Sequence, residues 1–494
     1  MSARKRWLIL LVLGALAAMG QAPFDLPLVM IVAMAAAVVV FNATASTSRT
    51  AAACGFAFGF GYFAVALHWI VSPFLVDAAT YGWMAPFAVM FMAAGGAVFW
   101  SIGFWAARRL SSGGWALVPC WAGVEVLRAY ILTGFPWASP AQAMVNVLPG
   151  QSLALIGPHG LNLLIFAVVV GLAGLSGRGW GMRIAALVPV VLLMFIPPMN
   201  GKAPLSDTVL RLVQPNAAQK DKWNPDMIRV FYERQLAFTA ARPETKKEPD
   251  AVIWPETAIP WNLNDSGVVL EEISAAAGGV PVVLGAQRRD GLRYFNALAL
   301  LGSQGQVLQT YDKHHLVPFG EYMPLGDLAA RFGIYGMASQ NGAGFTAGPG
   351  AQLMDLGPVG RALPLICYEA VFPDDVNAAP TRPDFIIHAT NDAWFGPFAG
   401  PQQHLAQARM RAIEQGLPVA RAANTGISAM IDPYGRVLDR IGMGQAGYLD
   451  AALPLPLAPT LYSRTGDVPA VVLLVLLLGA LALRNFGVTR EIRE

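Results

Sequence analysis

Three short stretches of this chain place reactive side chains at the ends of strand-like segments. Trp254-Pro255-Glu256-Thr257 carries a carboxylate. Tyr311 to Glu321 (YDKHHLVPFGE) carries Lys313 and Glu321, and Leu363 to Pro373 (LPLICYEAVFP) carries Cys367. A cysteine that attacks a carbonyl needs a base for its proton and donors for the oxyanion that forms. Glu256 can be the base and Lys313 the cation, with the backbone N–H after Cys367 as a further donor. A nearby ammonium also favours the thiolate. The set is chemically complete for acyl transfer. Each member also has a plainer reading. Cysteine is among the most buried residue types, so Cys367 also reads as a core thiol on a strand. Glu256 reads as an exposed acid at a strand end, Lys313 as a solvated loop lysine, and Glu321 as a turn cap after Gly320. His314 and His315 suggest a metal, but no matching Asp, Cys or His cluster accompanies them, so neither metal nor cofactor is expected.

The elements that must hold these residues lie between about Asp207 and Leu453. There, short β-type runs alternate with loops and helical segments. Thr208–Asn216, Asp250–Thr257, Gly279–Gln287, Tyr294–Leu301, Arg361–Glu369 and Asp384–Asp392 read as strands with their exits. Pro418–Gly435 reads as strand, turn and strand, and His404–Gly416 as a helix ending at glycine. Many of the strands are almost wholly apolar, as in sheets covered on both faces. The pattern predicts one layered α/β domain.

The rest of the chain has a different character. Of 494 residues, 55% are hydrophobic and 13% charged, against about 25% charged in ordinary globular proteins. Mean hydropathy is +0.48, which points to a membrane protein. A net charge of +3 is too weak a bias to suggest a nucleic-acid partner. Three cysteines without a close pair give no disulfide framework. Eight apolar stretches are candidate membrane helices. They are Trp7–Met19, Leu26–Phe41, Ala51–Val76, Tyr81–Ala107, Trp115–Leu132, Leu161–Leu175, Ile184–Ile196 and Val468–Leu483. The first also reads as a cleavable signal peptide, but the charges favour its retention. Basic residues fall at the N-terminus, Arg49, Arg108 and Arg109, Arg178 and Arg183, and Arg484, Arg490 and Arg493. The alternate loops Gln21–Asp25 and Val71–Thr80 have none. The positive-inside rule then puts both termini in the cytoplasm and the polar domain outside it. The expected organisation is a transmembrane domain over 1–199, a catalytic domain over 207–453 and a last helix over 468–484. Glu125 and Arg128, three apart on a candidate membrane helix, share a face and can pair. His68 is expected to be a satisfied membrane histidine.

Taken together, the three reactive stretches resemble the nitrilase (carbon–nitrogen hydrolase) superfamily, whose catalytic set is Glu, Lys and Cys in that order. WPETAIPW, DKHHLVPFGEYMP, ICYEAVFP and NDAWFG carry the resemblance. With GFGYFAVALHWI, TGFPWAS and YSRTGDVPA in the apolar parts, the whole chain is similar to the apolipoprotein N-acyltransferase family. The resemblance implies an αββα nitrilase-like domain beside about eight membrane helices. It implies Glu256 as general base, Lys313 as oxyanion stabiliser and Cys367 as nucleophile. Glu321 matches a second acid that positions the lysine or thiol. Tyr368 and Glu369 match the residues that follow the cysteine, and Trp223 matches a mobile aromatic near the lipid site. The implied substrates are a phospholipid acyl donor and a diacylated apolipoprotein acceptor, in the cytoplasmic (inner) membrane with the catalytic domain on its periplasmic side. No cofactor is implied. Ile334–Met337 and Trp394–Phe398 are expected to reach the membrane interface. The alternative is a membrane-anchored amidase or nitrilase-type hydrolase that passes its acyl group to water. A transporter would need polar residues along several spans, and few are present.

Overall fold

The computed structural model describes residues 1–111, 113–175, 201, 203–244, 247–324 and 344–491, with side chains in the last helix described through residue 485. The expected span Ile184–Ile196, its flanking Arg178 and Arg183, the loop Ile334–Met337 and Arg493 lie outside the described residues. The chain divides into two compact units. One comprises Met1–Asn200, Phe398–Ala406 and Thr460–Glu494; the other comprises Gly201–Pro397 and Gln407–Pro459.

The first unit is helical. Its main helices are Ala3–Ala18, Pro27–Thr44, Ser48–Ala66, Ala85–Leu110, Leu117–Tyr130, Leu153–Gly174 and Val468–Glu491. Among the described residues, four helices are long and apolar enough to cross a membrane. The number is five if Ser48–Ala66 and the bent continuation His68–Phe74 form one span. The sequence reading of eight is therefore coarser than the structure in two places. Ala3–Ala18 has 16 residues and Leu117–Tyr130 has 14, short of the roughly 20 a straight span needs.

Small residues let these helices approach. A Cβ on Gly14 would lie 2.0 Å from the Phe58 carbonyl oxygen, and one on Gly61 would lie 2.1 Å from that of Leu11. Helices Ala3–Ala18 and Ser48–Ala66 thus meet backbone to backbone, as is common between apolar helices. The predicted Glu125–Arg128 pair is present and buried, with Nη2 to Oε2 at 2.7 Å. Trp100 Nε1 donates to Glu125 Oε1 at 2.8 Å. Arg128 Nη1 donates to the carbonyls of Phe135 and of Trp137, the latter at 2.8 Å. The pair therefore fixes the Phe135–Trp137 segment that follows the helix end. Trp137 Nε1 donates onward to Gln403 Oε1 at 2.7 Å, and Gln403 Nε2 donates to the carbonyls of Ala22 and Ala66. His68 Nδ1 lies 2.7 Å from the Val65 carbonyl oxygen, so it is satisfied locally.

A buried charge left without its partner costs about 3–5 kcal/mol. Arg128→Leu is accordingly expected to lower the thermal stability of the detergent-solubilised protein more than the double change Glu125→Leu with Arg128→Leu. A thermal unfolding series on the two variants checks this.

The second unit is a sandwich of two six-stranded sheets. One has the order β12-β1-β2-β3-β4-β5 and the other β11-β10-β9-β8-β7-β6. In the first sheet β1 (Leu205–Gln214), β2 (Ala251–Ile253) and β3 (Val282–Asp290) run parallel. β4 (Arg293–Leu301), β5 (Val307–Asp312) and β12 (Gly447–Pro454) are antiparallel to their neighbours. In the second, β7 (Arg361–Ile366), β8 (Phe385–Thr390) and β9 (Val419–Ala423) are parallel, flanked by the antiparallel β6 (Met354–Asp355), β10 (Ser428–Ile431) and β11 (Val437–Ile441).

Leu212, Ile253, Leu298, Ile366, Ile387 and Ala420 belong to one core that draws on both sheets. Trp254, Leu284 and Leu301 join a second core with residues of helices Pro225–Thr239 and Gly267–Ala276. Strands of the first sheet thus bury both faces, which is why they read as continuous apolar runs. Strands β6, β11 and β12 were not read from the sequence, and of β5 only its end at Tyr311–Asp312 was. Val307–Asp312 and Val437–Ile441 are largely exposed, so their apolar signal is weak.

Candidate active site

The three sequence-predicted reactive groups each follow the carboxyl end of a strand. Glu256 stands after β2, Lys313 after β5 and Cys367 after β7. The turn that carries Glu256 lies flat against β3. A Cβ on Gly285 would sit 2.4 Å from both the Pro255 oxygen and the Thr257 nitrogen, so only glycine permits this approach. Ala258 N donates to the Gly285 oxygen at 2.7 Å. Cys367 has φ +48°, a left-handed conformation in which a non-glycine residue is held by its surroundings.

Glu256, Lys313 and Glu321 form one buried cluster. Lys313 Nζ lies 2.8 Å from Glu321 Oε2 and 3.8 Å from Glu256 Oε1. Asn296 Nδ2, from β4, donates to Glu256 Oε1 at 2.7 Å and is 3.0 Å from Glu321 Oε1. Asn391 N, after β8, donates to Glu256 Oε2 at 2.8 Å. Val317 N donates to Glu321 Oε2 at 2.8 Å. Both carboxylates are thus locked in orientation.

Charge follows from this packing. Burial disfavours the Lys313 ammonium, but Glu321, Glu256 and the Cys367 sulfur together outweigh it and raise its pKa. Lys313 is a permanent cation at neutral pH. The Cys367 thiol is pushed well above its ordinary value, by burial first and then by the charge of Glu256. Lys313 and a hydrogen bond from Thr390 pull the other way. A thiol so placed is protonated at rest, and its activation requires a base that takes the proton as the bond to carbon forms.

Glu369 has a different position. It is fully buried and accepts from Ile366 N at 2.7 Å, His314 N at 2.8 Å and the Tyr311 hydroxyl at 2.8 Å. It ties the Cys367 turn to the Lys313–His314 segment and is a positioning group. Tyr368 packs against Phe372 and His315, with ring centroids 4.9 and 5.6 Å apart. Trp223 lies on the loop after β1, with the Lys222 ammonium 5.1 Å from its ring. Phe395 packs on the inter-sheet core, while Phe398 is 46% exposed and belongs to the helical unit. Its ring is 5.7 Å from that of Phe24.

Two site residues, Asn296 and Asn391, escape a reading based on reactive types alone. Both had a signal. Asn296 is the one amide in YFNALALL, and a buried amide needs partners. Asn391 stands in NDAWFG, directly after an apolar strand. Among the described residues, no group of three or more His, Cys, Asp and Glu side chains could hold a metal ion. His314 and His315 serve instead as partners of acids. His314 faces Glu369 at 2.8 Å and Asp375 at 3.4 Å, and His315 faces Asp375 at 3.0 Å.

Burial opposes the His314 imidazolium, but hydrogen bonds to Asp375 and Glu369 raise its pKa from 6.5 to about 10. A group whose folded pKa is raised stabilises the fold fully below its unfolded value and loses that contribution as pH rises through the folded value. The stability gap between the wild type and His314→Asn is therefore expected to be constant below about pH 6.5 and to close towards about pH 10. Denaturant midpoints measured across that range check it.

The sandwich and its strand-end cluster define the carbon–nitrogen hydrolase class. The family model described as carbon–nitrogen hydrolase matches residues 233–460, and that described as the apolipoprotein N-acyltransferase N-terminal domain matches residues 13–171. Apolipoprotein N-acyltransferase of Bradyrhizobium diazoefficiens is 39% identical over 503 residues, covering 96% of this chain and 94% of the relative. That of Rhodopseudomonas palustris is 37% identical over 455 residues (86% and 84%), and that of Caulobacter vibrioides 36% identical over 449 residues (86% and 84%). The chain belongs to the apolipoprotein N-acyltransferase family. With this membership, the long apolar helices mark a membrane protein.

Proposed function

We propose that the chain transfers an acyl chain from a membrane phospholipid to the N-terminal amine of the S-diacylglyceryl-cysteine of apolipoproteins, the last step of lipoprotein maturation. The observation that carries this reading is the buried Glu256–Lys313–Glu321 cluster beside Cys367, in a chain of this family. Glu256 takes the Cys367 proton as sulfur attacks the ester carbonyl. Lys313 and the main-chain amide after Cys367 stabilise the oxyanion. Glu321 holds one face of the Lys313 ammonium at 2.8 Å, which leaves further N–H bonds for that oxyanion. Glu256 then gives its proton to the departing glycerol oxygen. Lysophospholipid leaves and a thioester on Cys367 remains. In the second half-reaction the acceptor amine attacks the thioester, Glu256 takes its proton and returns it to the departing sulfur, so an amide forms and the Cys367 thiol and the Glu256 carboxylate are restored. Such a cycle is ping-pong.

In this reading both substrates are lipids, and the family setting is a bilayer. Eight spans, over 1–199 and 468–484, hold the catalytic domain of 207–453 on the periplasmic side of the inner membrane, with both termini cytoplasmic. The placement of Arg49, Arg108, Arg109 and Arg484 supports that orientation. Trp223 lies near the lipid acyl chains, and Tyr368 and Glu369 support the cysteine turn. Excluding water protects the thioester. Incubation with acyl-labelled phospholipid and a diacylated lipopeptide tests the reading. Label in an amide on the lipopeptide is expected. Label released only as free fatty acid would assign the chain to the hydrolases instead.

A further inference from the structure

Lys222 is a buried lysine that the cycle above does not use. It lies on the loop after β1 and is 7% exposed. Among the described residues no carboxylate oxygen lies within 4.0 Å of it. Its ammonium donates instead to the main-chain oxygen of Glu256, at 3.4 Å. An unpaired ammonium is costly to bury, and an apolar side chain would fill the same space without that cost. The geometry gives the charge a use.

The Glu256 turn is held from several sides. Lys222 holds the carbonyl of Glu256 itself. Gln235 Nε2, from helix Pro225–Thr239, donates to the carbonyl of Ala258 at 3.0 Å. Asn391 N holds the carboxylate, and Asn391 Nδ2 reaches Gln219 on the Lys222 loop at 2.8 Å. The loop after β1 is therefore coupled to both the main chain and the side chain of Glu256.

Lys222, Trp223, Phe231, Tyr232, Gln235 and Pro255 line one small cavity with Asn424. From the packed elements, the charged and titratable groups facing Lys222 are Glu256 and Tyr232. The Tyr232 hydroxyl is engaged by Glu272 Oε2 at 2.7 Å, and Gln235 and Asn424 are neutral. Among the described residues, Glu256 is the group whose charge acts on the ammonium.

We propose that Lys222 is a positioning residue for the general base. Its ammonium tethers the main chain of Glu256, so the carboxylate is held more firmly in its working place while Lys222 is protonated. This rests on the reading of Glu256 as the base. Burial lowers the Lys222 pKa from 10.5 to about 8, with Glu256 opposing the shift. The ammonium therefore discharges within a range that can be measured, and the Glu256 turn then loses a charge-assisted bond.

The test is single-turnover thioester formation by the full-length protein in phospholipid vesicles, followed by mass spectrometry of the Cys367 peptide across pH. The wild-type rate is expected to decline through about pH 8. Lys222→Met is expected to be about tenfold slower at neutral pH, the loss typical of one charge-assisted hydrogen bond, and to lack that decline. Lys222→Arg keeps its charge and should move the decline to higher pH. A role in packing alone would slow the variants equally at all pH values. A wild-type profile flat through pH 8, or a decline unchanged in both variants, overturns the proposal. If Lys222→Met does not fold, the wild-type and Lys222→Arg profiles decide it. Absence of any Cys367 thioester in the wild type would instead overturn the catalytic reading on which the proposal rests.

Discussion

Cys367→Ala is expected to abolish acyl-enzyme formation and acyl transfer while leaving the fold intact. The side chain is small, and alanine removes one buried sulfur. The cost in stability is that of a small cavity, about 1–2 kcal/mol. The cost in chemistry is total, because no other cysteine can take over. Cys54 and Cys120 are buried in helices Ser48–Ala66 and Leu117–Tyr130 of the other unit. Incubation with phospholipid followed by mass spectrometry should show an acyl adduct on wild-type Cys367 and none on the variant. The thermal transition should move little. Acyl transfer that persists in the variant would remove Cys367 from the mechanism.

The position of Cys367 also shows what a sequence makes legible. LPLICYEAVFP poses a choice between a core thiol and a nucleophile. The structure puts the apolar run and the cysteine on neighbouring parts of one element. Leu363, Leu365 and Ile366 are buried in β7, and Cys367 is the first residue beyond it, at positive φ. Apolar alternation and a strand-end break are local patterns, so they could be read. Glu256 and Lys313 were legible for the same reason. The bond from Asn296 to both carboxylates was not, because it depends on β4 lying between β3 and β5, and pairing order is not a local property. Lys222 was hidden likewise. In DKWNPD it reads as one more surface lysine, and its burial arises only when helix Pro225–Thr239 covers the first sheet. Glu369 was read as a site acid. Its function as a shared acceptor beneath the cysteine turn required the meeting of the β5 and β7 ends.

In the helical unit, hydropathy located the apolar segments but not where helices begin and end. Leu117–Tyr130 stops where Arg128 turns to the carbonyls of Phe135 and Trp137. That stop is set by a side chain reaching forward along the chain, which a hydropathy window averages away.

The second large effect is expected of Lys313→Met. The change removes the cation from a site that holds two carboxylates, both bonded to the same Asn296 amide. Three losses then coincide. The oxyanion loses its charged donor, which alone is worth about 10²–10³ in rate. Glu256 and Glu321 are left as like charges in a buried site without the cation that neutralised them. The thiol loses the ammonium that offsets part of its upward shift. The combined fall in thioester formation is therefore expected to exceed about 10³-fold, the upper end for one oxyanion donor. Alkylation of Cys367 by a small electrophile should still occur in the variant, but only at higher pH than in the wild type. That pairing separates a lost cation from a misfolded site. A variant that loads acyl groups at the wild-type rate would show that the ammonium serves only to neutralise Glu256 and Glu321.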